Sequence, residues 1–123
     1  MPTILVVDDD PGVRFALTEV LRDRGYRVVD ACTGAQAIAR LAGVDVVITD
    51  LVMPGMDGLE LIGRILRIDP RLPVILLTAH GSEHLARAAV GVGALGCLAK
   101  PFDIDEVVRA VDRACGAQRP GLA

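Results

Sequence analysis

Ile4-Leu5-Val6-Val7-Asp8-Asp9-Asp10-Pro11 is the stretch on which the fold turns. Four aliphatic residues with no polar alternation read as a strand covered on both faces, as in a parallel sheet. Three acids and a proline stop the run, and Val13, Leu17, Val20 and Leu21 resume it at helical spacing. The unit recurs along the chain. Val28-Val29 precedes a helix expected at about 34 to 42, Val44 to Thr49 one at about 57 to 68, Val74 to Leu77 one at about 83 to 91, and Leu95 to Ala99 one at about 104 to 115. Asp10 before Pro11 has the form of a helix cap. Thr33 with Gln36, Asp57 with Glu60 and Asp103 with Glu106 have capping-box spacing or its acidic variant. Five strand and helix pairs predict an α/β domain with a doubly wound parallel sheet. Right-handed crossovers bring every strand's C-terminal end to one edge, where such sheets bind ligands. Asp8, Asp50, Thr78 and Lys100 all lie at those ends.

The 123 residues suffice for one domain with a single core. A domain over 1–116 is expected, with 117–123 as a linker or disordered tail, because the last residues have linker composition. The apolar fraction of 52% is aliphatic, with Phe15, Tyr26 and Phe102 as the only aromatics, which argues against base stacking on single-stranded nucleic acid. A net charge of -3 and scattered arginines argue against direct nucleic-acid binding by this domain, though a partner domain can bind DNA. No apolar stretch reaches the roughly 18 residues that span a bilayer, and the start lacks a signal peptide's charged region, so no membrane association and a cytoplasmic location are expected. Cys32, Cys97 and Cys115 are odd in number and widely spaced, fitting neither a disulfide framework nor a zinc site. They read as reduced, mostly buried thiols.

Two adjacent carboxylates at a strand terminus repel each other unless a cation neutralises them. Mg²⁺ takes one or two carboxylates plus water and substrate phosphate oxygens, which suits Asp9, Asp50 and one backbone carbonyl. Asp50 closes an unbroken apolar run, so its carboxylate stands on a rigid element, as a nucleophile toward phosphorus requires. Lys100, the chain's only lysine, supplies a cation at the same edge. Thr78 can offer a hydroxyl to a phosphoryl oxygen. Pro101 stiffens the backbone after Lys100 and is a candidate for a cis bond. His80 and His84 are too isolated for a metal or base role and read as surface residues.

With Val6-Val7-Asp8-Asp9-Asp10, Ile48-Thr49-Asp50 through Gly58, Leu77-Thr78-Ala79-His80 and Lys100-Pro101-Phe102 through Glu106 in order, the chain from about Ile4 to Ala114 resembles a response-regulator receiver domain. It is similar to the chemotaxis response regulator and to receivers of nitrogen-regulation-type transcription activators. The resemblance implies strand order 2-1-3-4-5 and a two-component signalling switch rather than a turnover enzyme. Asp50 would accept a phosphoryl group from a histidine kinase or phosphotransfer protein. Asp9 would bind Mg²⁺ directly, Asp8 mainly through water, and the main-chain carbonyl of Val52 would complete the protein ligands. Thr78 and Lys100 would hold the phosphoryl oxygens. Output would pass through the fourth helix, fifth strand and fifth helix to an output domain or downstream protein, with a homodimer forming on phosphorylation. Val52 and His80 would border the phosphoryl group and tune its hydrolysis.

One residue departs from the pattern. Three residues before the lysine the family usually has Tyr or Phe, which turns inward as the threonine moves; here it is Cys97. A thiol has no ring to swing, so local reordering of the fourth helix and fifth strand, near Gly91, Gly93 and Gly96, is the expected replacement. A phosphorylation-independent interaction module is the alternative. An aspartyl-phosphate phosphohydrolase would need a second Asp where Val52 stands, and a flavin carrier would not place Asp8-Asp9-Asp10 against a phosphate.

Overall fold

The computed structural model describes residues 1–53, 55–79 and 83–117. Five strands, β1 (Thr3–Val7), β2 (Arg27–Ala31), β3 (Val46–Asp50), β4 (Val74–Thr78) and β5 (Gly96–Ala99), form one sheet in the order β2-β1-β3-β4-β5. All four neighbouring pairs are parallel. The helices are α1 (Pro11–Asp23), α2 (Gly34–Ala39), α3 (Gly58–Ile68), α4 (Glu83–Val92) and α5 (Ile104–Ala117). A separate two-residue antiparallel ladder joins Val52–Met53 to Met56–Asp57 in the connection from β3 to α3. The doubly wound architecture and strand order are as the sequence and the resemblance predict.

Alternation along the strands sorts the core into two layers, since successive strand residues point to opposite faces. Ile4, Val6, Val46, Ile48, Ile75 and Leu77 pack with Leu17 and Leu21 of α1 and Val107 and Val111 of α5. Leu5, Val7, Val47, Val74 and Leu76 pack on the other face with Ala37 of α2, Leu61, Ile62 and Ile65 of α3, and Ala86 and Ala89 of α4. The expected caps form. The side chains of Asp10, Thr33 and Asp57 accept from the backbone N–H of Gly12, Gln36 and Leu59, and Asp103 accepts from Asp105.

The structure corrects the sequence reading in three places. Helix α2 ends at Ala39 instead of about 42, because Leu41 and Val44 turn into the core around Gly43, whose φ of 77° only glycine adopts readily. Strand β3 begins at Val46 instead of Val44, since Asp45 is held by its own bonds to Thr3, through its N–H and its carboxylate. The cysteines are not mostly buried: Cys115 is, Cys32 is half-buried and Cys97 is exposed. The apolar run holding Cys97 is an edge strand, whose residues alternate between half-buried and exposed, and a run of apolar letters does not distinguish an edge from a centre. Helix α5 reaches Ala117, against an expected end at about 115, and 118–123 lie outside the described residues. No described helix is long and apolar enough to cross a membrane.

Candidate functional site

Register brings Asp8 and Asp50 together. Val7 of β1 pairs with Thr49 of β3, so one step further along Asp8 and Asp50 stand side by side at the ends of adjacent strands. Both continue the even-numbered positions that face α1 and α5, so their carboxylates leave the sheet on the same side. On the far side of β3, Asp50 pairs with Leu77, which puts Thr78 one residue beyond it, and Thr78 in turn pairs with Ala99 just before Lys100. The four strand ends β1, β3, β4 and β5 thus deliver Asp8, Asp50, Thr78 and Lys100 to one edge.

Lys100 closes the cluster. Its Nζ lies 3.0 Å from Asp8 Oδ2 and 3.2 Å from Asp50 Oδ2, donating to both. Asp8 is fully buried and also accepts the Asp10 backbone N–H at 3.0 Å. Asp50 is 8% exposed and accepts the Val52 N–H at 3.3 Å. Burial raises the Asp8 carboxyl above the usual carboxylate range, and the Asp10 N–H and the Lys100 ammonium offset this only in part. Burial also disfavours the Lys100 ammonium, yet its bond to Asp8 and the charge of Asp50 outweigh that, and its affinity for the proton is raised overall. The asymmetry is physical: one cation has two acids to serve it, while the most deeply buried acid must share that cation.

Carboxylate oxygens of Asp8, Asp9 and Asp50 all lie within 4.8 Å of one another. An all-oxygen donor set at this spacing suits a hard divalent cation and offers nothing to a soft one. Three carboxylates against the single Lys100 ammonium leave two negative charges at the edge. The residues present fit Mg²⁺ on both counts. Val52, whose main-chain carbonyl is expected to join them, opens the two-residue ladder directly after Leu51 and is 60% exposed.

Thr78 is buried and donates its hydroxyl to the Leu98 carbonyl at 3.4 Å, so it faces β5 and makes no hydrogen bond to the acidic cluster. The Lys100–Pro101 peptide is cis. His84 is exposed on α4, as expected of a surface residue, and His80 lies outside the described residues.

Two residues that hold the site together escaped the sequence reading. Gly58 donates its N–H to the Leu51 carbonyl at 3.1 Å, and a Cβ added there would lie 2.7 Å from the Leu51 carbonyl carbon. Only glycine lets α3 start against the turn that follows Asp50. Arg14 donates Nη1 to the Asp8 carbonyl at 2.7 Å and Nε to Asp30 Oδ2 at 3.3 Å. The sequence did carry a signal: Arg14 lies one helical turn after the cap Asp10, where a long side chain folds back toward the strand ends.

Comparison with known proteins gives a consistent result. Residues 4–112 match the family model described as the response regulator receiver domain. The chain is 42% identical over 112 residues to sporulation initiation phosphotransferase F of Bacillus subtilis, covering 89% of this chain and 90% of that protein. It is 43% identical over 113 residues to the DNA-binding transcriptional regulator NtrC of Escherichia coli, covering 90% of this chain but 24% of the regulator. The chain therefore spans about a quarter of the length of such transcriptional regulators. Among solved structures, a response regulator receiver domain protein of Clostridium thermocellum superposes with a TM-score of 0.91 at 29% identity, covering 97% of this chain and 98% of that one. NtrX of Brucella abortus gives a TM-score of 0.92 at 31% identity over 97% of this chain and 28% of that one.

Proposed function

This chain belongs to the response regulator receiver domain family, homologous to two-component regulators, and on that premise we propose that Asp50 accepts a phosphoryl group from a phosphohistidine. The donor is a histidine kinase or a phosphotransfer protein. An Asp50 carboxylate oxygen bonds to phosphorus as the bond from phosphorus to the donor imidazole breaks, the electron pair remains on the imidazole nitrogen, and an acyl phosphate results. Such transfer depends on positioning and electrostatics more than on proton chemistry, and each residue of the cluster has a part in that.

Asp9, Asp50 and the Val52 main-chain carbonyl would hold Mg²⁺, with Asp8 reaching it through water. The bound ion supplies neutralisation of the carboxylates and of the incoming phosphoryl oxygens. Lys100, bridging Asp8 and Asp50 in this state, turns its ammonium to a phosphoryl oxygen. Thr78 redirects a hydroxyl that a long 3.4 Å bond holds only weakly to Leu98. Moving it frees the Leu98 carbonyl on β5, which couples phosphorylation to the surface formed by α4, β5 and α5. That surface then acts on an output domain or downstream protein, or pairs with a second copy. Asp50 is consumed at each transfer until the acyl phosphate hydrolyses, so the domain is a cytoplasmic switch and not a turnover enzyme.

The observation that carries this reading is the fixing of Asp50: Oδ1 by the Val52 N–H, Oδ2 by Lys100, with the other two acids beside it. Incubation with Mg²⁺ and acetyl phosphate, followed by intact mass measurement, tests it. One added phosphoryl group, absent in Asp50→Asn, is expected. No addition to the folded protein would replace this reading with that of a phosphate-independent interaction module.

A further inference from the structure

The three clustered acids are not held alike. Asp8 is fixed by the Asp10 N–H and Lys100, and Asp50 by the Val52 N–H and Lys100. Asp9 is exposed, and among the described residues nothing hydrogen-bonds its carboxylate. With no hydrogen bond to hold its rotamer, where that carboxylate can reach depends on how the backbone, and in particular the peptide joining Asp8 to Asp9, places its Cα–Cβ bond.

The carbonyl of that peptide is gripped by Arg14. The Arg14 side chain is 19% exposed, and its guanidinium donates to the Asp8 carbonyl at 2.7 Å and, on its other side, to the Asp30 carboxylate at 3.3 Å. Asp30 is itself fixed, in register with Val6 on the adjoining strand and with its main-chain carbonyl accepting from Arg40 Nη1. A planar guanidinium holding two oxygens in a fixed fork sets an angle as well as a distance, which an ammonium cannot do.

We propose that Arg14, oriented by Asp30, is a positioning residue for divalent-cation binding: it locks the Asp8–Asp9 peptide and so aims the Asp9 carboxylate into the cluster. The inference rests on the proposed metal-dependent function but assigns a role that the metal-facing residues do not explain. Charge and geometry predict opposite signs, which makes it decidable. Arg14 is a cation close to a cation site, so if charge alone mattered its removal would tighten Mg²⁺ binding. If Arg14 acts by aiming Asp9, its removal weakens binding, by about tenfold or more as for other residues that orient metal ligands.

The test is Mg²⁺ affinity by titration calorimetry on wild type, Arg14→Ala, Arg14→Lys and Asp30→Asn, each checked for folding by circular dichroism. The expected order of affinity is wild type, then Asp30→Asn, then Arg14→Lys, then Arg14→Ala. Saturating Mg²⁺ is expected to restore the acetyl phosphate labelling rate of Arg14→Ala close to wild type, because Asp50, Thr78 and Lys100 are untouched. Equal or tighter Mg²⁺ binding by folded Arg14→Ala would overturn the proposal. So would full rescue by Arg14→Lys, which would show that the planar fork sets no angle that an ammonium cannot. Should Arg14→Ala fail to fold, Arg14→Met, which keeps the length of the side chain without its charge or its fork, decides in the same way: weaker Mg²⁺ binding supports, equal or tighter binding overturns. Absence of Mg²⁺ binding by wild type would instead overturn the metal-dependent function, so the two failures are distinguishable.

Discussion

The two edges of the β3-β4-β5 half of the sheet are built to different standards. At the acidic edge, β3 and β4 are buried along their whole length and end on Asp50 and Thr78, with the fully buried Asp8 beside them. Along the outer strand, β5 alternates between half-buried and exposed, Leu95 and Cys97 face outward, and a cavity of about 390 Å³ opens between β5 and α5, lined by Ile75, Cys97, Leu98, Ala110 and Arg113 among others. The first region holds Asp8 and Asp50 within hydrogen-bond distance of Lys100 and leaves little slack. The second is loosely packed, and that is where a small displacement of Thr78 can be expressed as movement at low cost. Substitutions at the two should differ in size accordingly.

Gly58→Ala should have the largest effect. Its Cβ would press on the Leu51 backbone, which has no flexible side chain to yield, so the turn after Asp50 must shift. A loss of about 3 kcal/mol in chemical denaturation is expected, the upper range for overpacking, together with weakened Mg²⁺ binding. An unaffected stability would show that the acidic edge is softer than its burial suggests.

Lys100→Met comes next. It leaves Asp8 and Asp50 buried without their shared cation, at a cost of about 2 kcal/mol, below the range for fully buried pairs because the Lys100 side chain is 25% exposed. The loss should be smaller in acid. Asp8 has a folded-state carboxyl that binds its proton more tightly than the unfolded one, so its contribution is present below the unfolded carboxylate range and is lost as pH rises through the folded value. Denaturation of the variant at pH 4.5 and 7.5 should therefore show the deficit mainly at the higher pH. Lys100 in wild type has the same sign in a higher window: its raised affinity stabilises the fold below the ordinary lysine range and is lost as pH rises through the folded value.

Asp8→Asn follows from the same direction with the opposite outcome. An uncharged amide relieves the desolvation that ionised Asp8 suffers at neutral pH, so apo stability should rise, on the order of 1 kcal/mol, while Mg²⁺ affinity falls. A destabilised variant would show that the bonds from Asp10 and Lys100 outweigh burial.

The same contrast explains what the sequence disclosed. Asp8, Asp9, Asp50, Thr78 and Lys100 were legible because apolar runs broke on them, and parallel topology then placed the breaks at one edge. Asp8 and Asp50 also share a face, because both continue the even-numbered positions packed against α1 and α5. Arg14 and Gly58 were not legible in that way, since their roles depend on what a guanidinium reaches and what a Cβ would strike, and neither distance is written in spacing. The exposure of Cys97 was missed for a related reason: β5 reads as apolar as β3, and only the sheet order makes one an edge and the other a centre.

The smallest expected effect lies in that outer strand. Cys97 is exposed and Cys97→Ala should change stability by no more than about 0.5 kcal/mol and leave Asp50 labelling unaltered. Its interest is dynamic. Thr78 reaches β5 through the Leu98 carbonyl, the neighbour of Cys97, and no ring stands at 97 to follow Thr78 inward. A response must then travel through the backbone of β5 and α4, whose C-terminal end turns at Gly93 with φ 132°. Amide exchange with and without a beryllofluoride phosphoryl mimic should change in 83–92 and 96–99 while β1 and the buried part of β3 remain protected. The change should persist in Cys97→Ala, since the thiol has no part in it. Unchanged exchange in α4 and β5 would mean that the loosely packed edge is not where phosphorylation is read, and the search would move to the surface around α1.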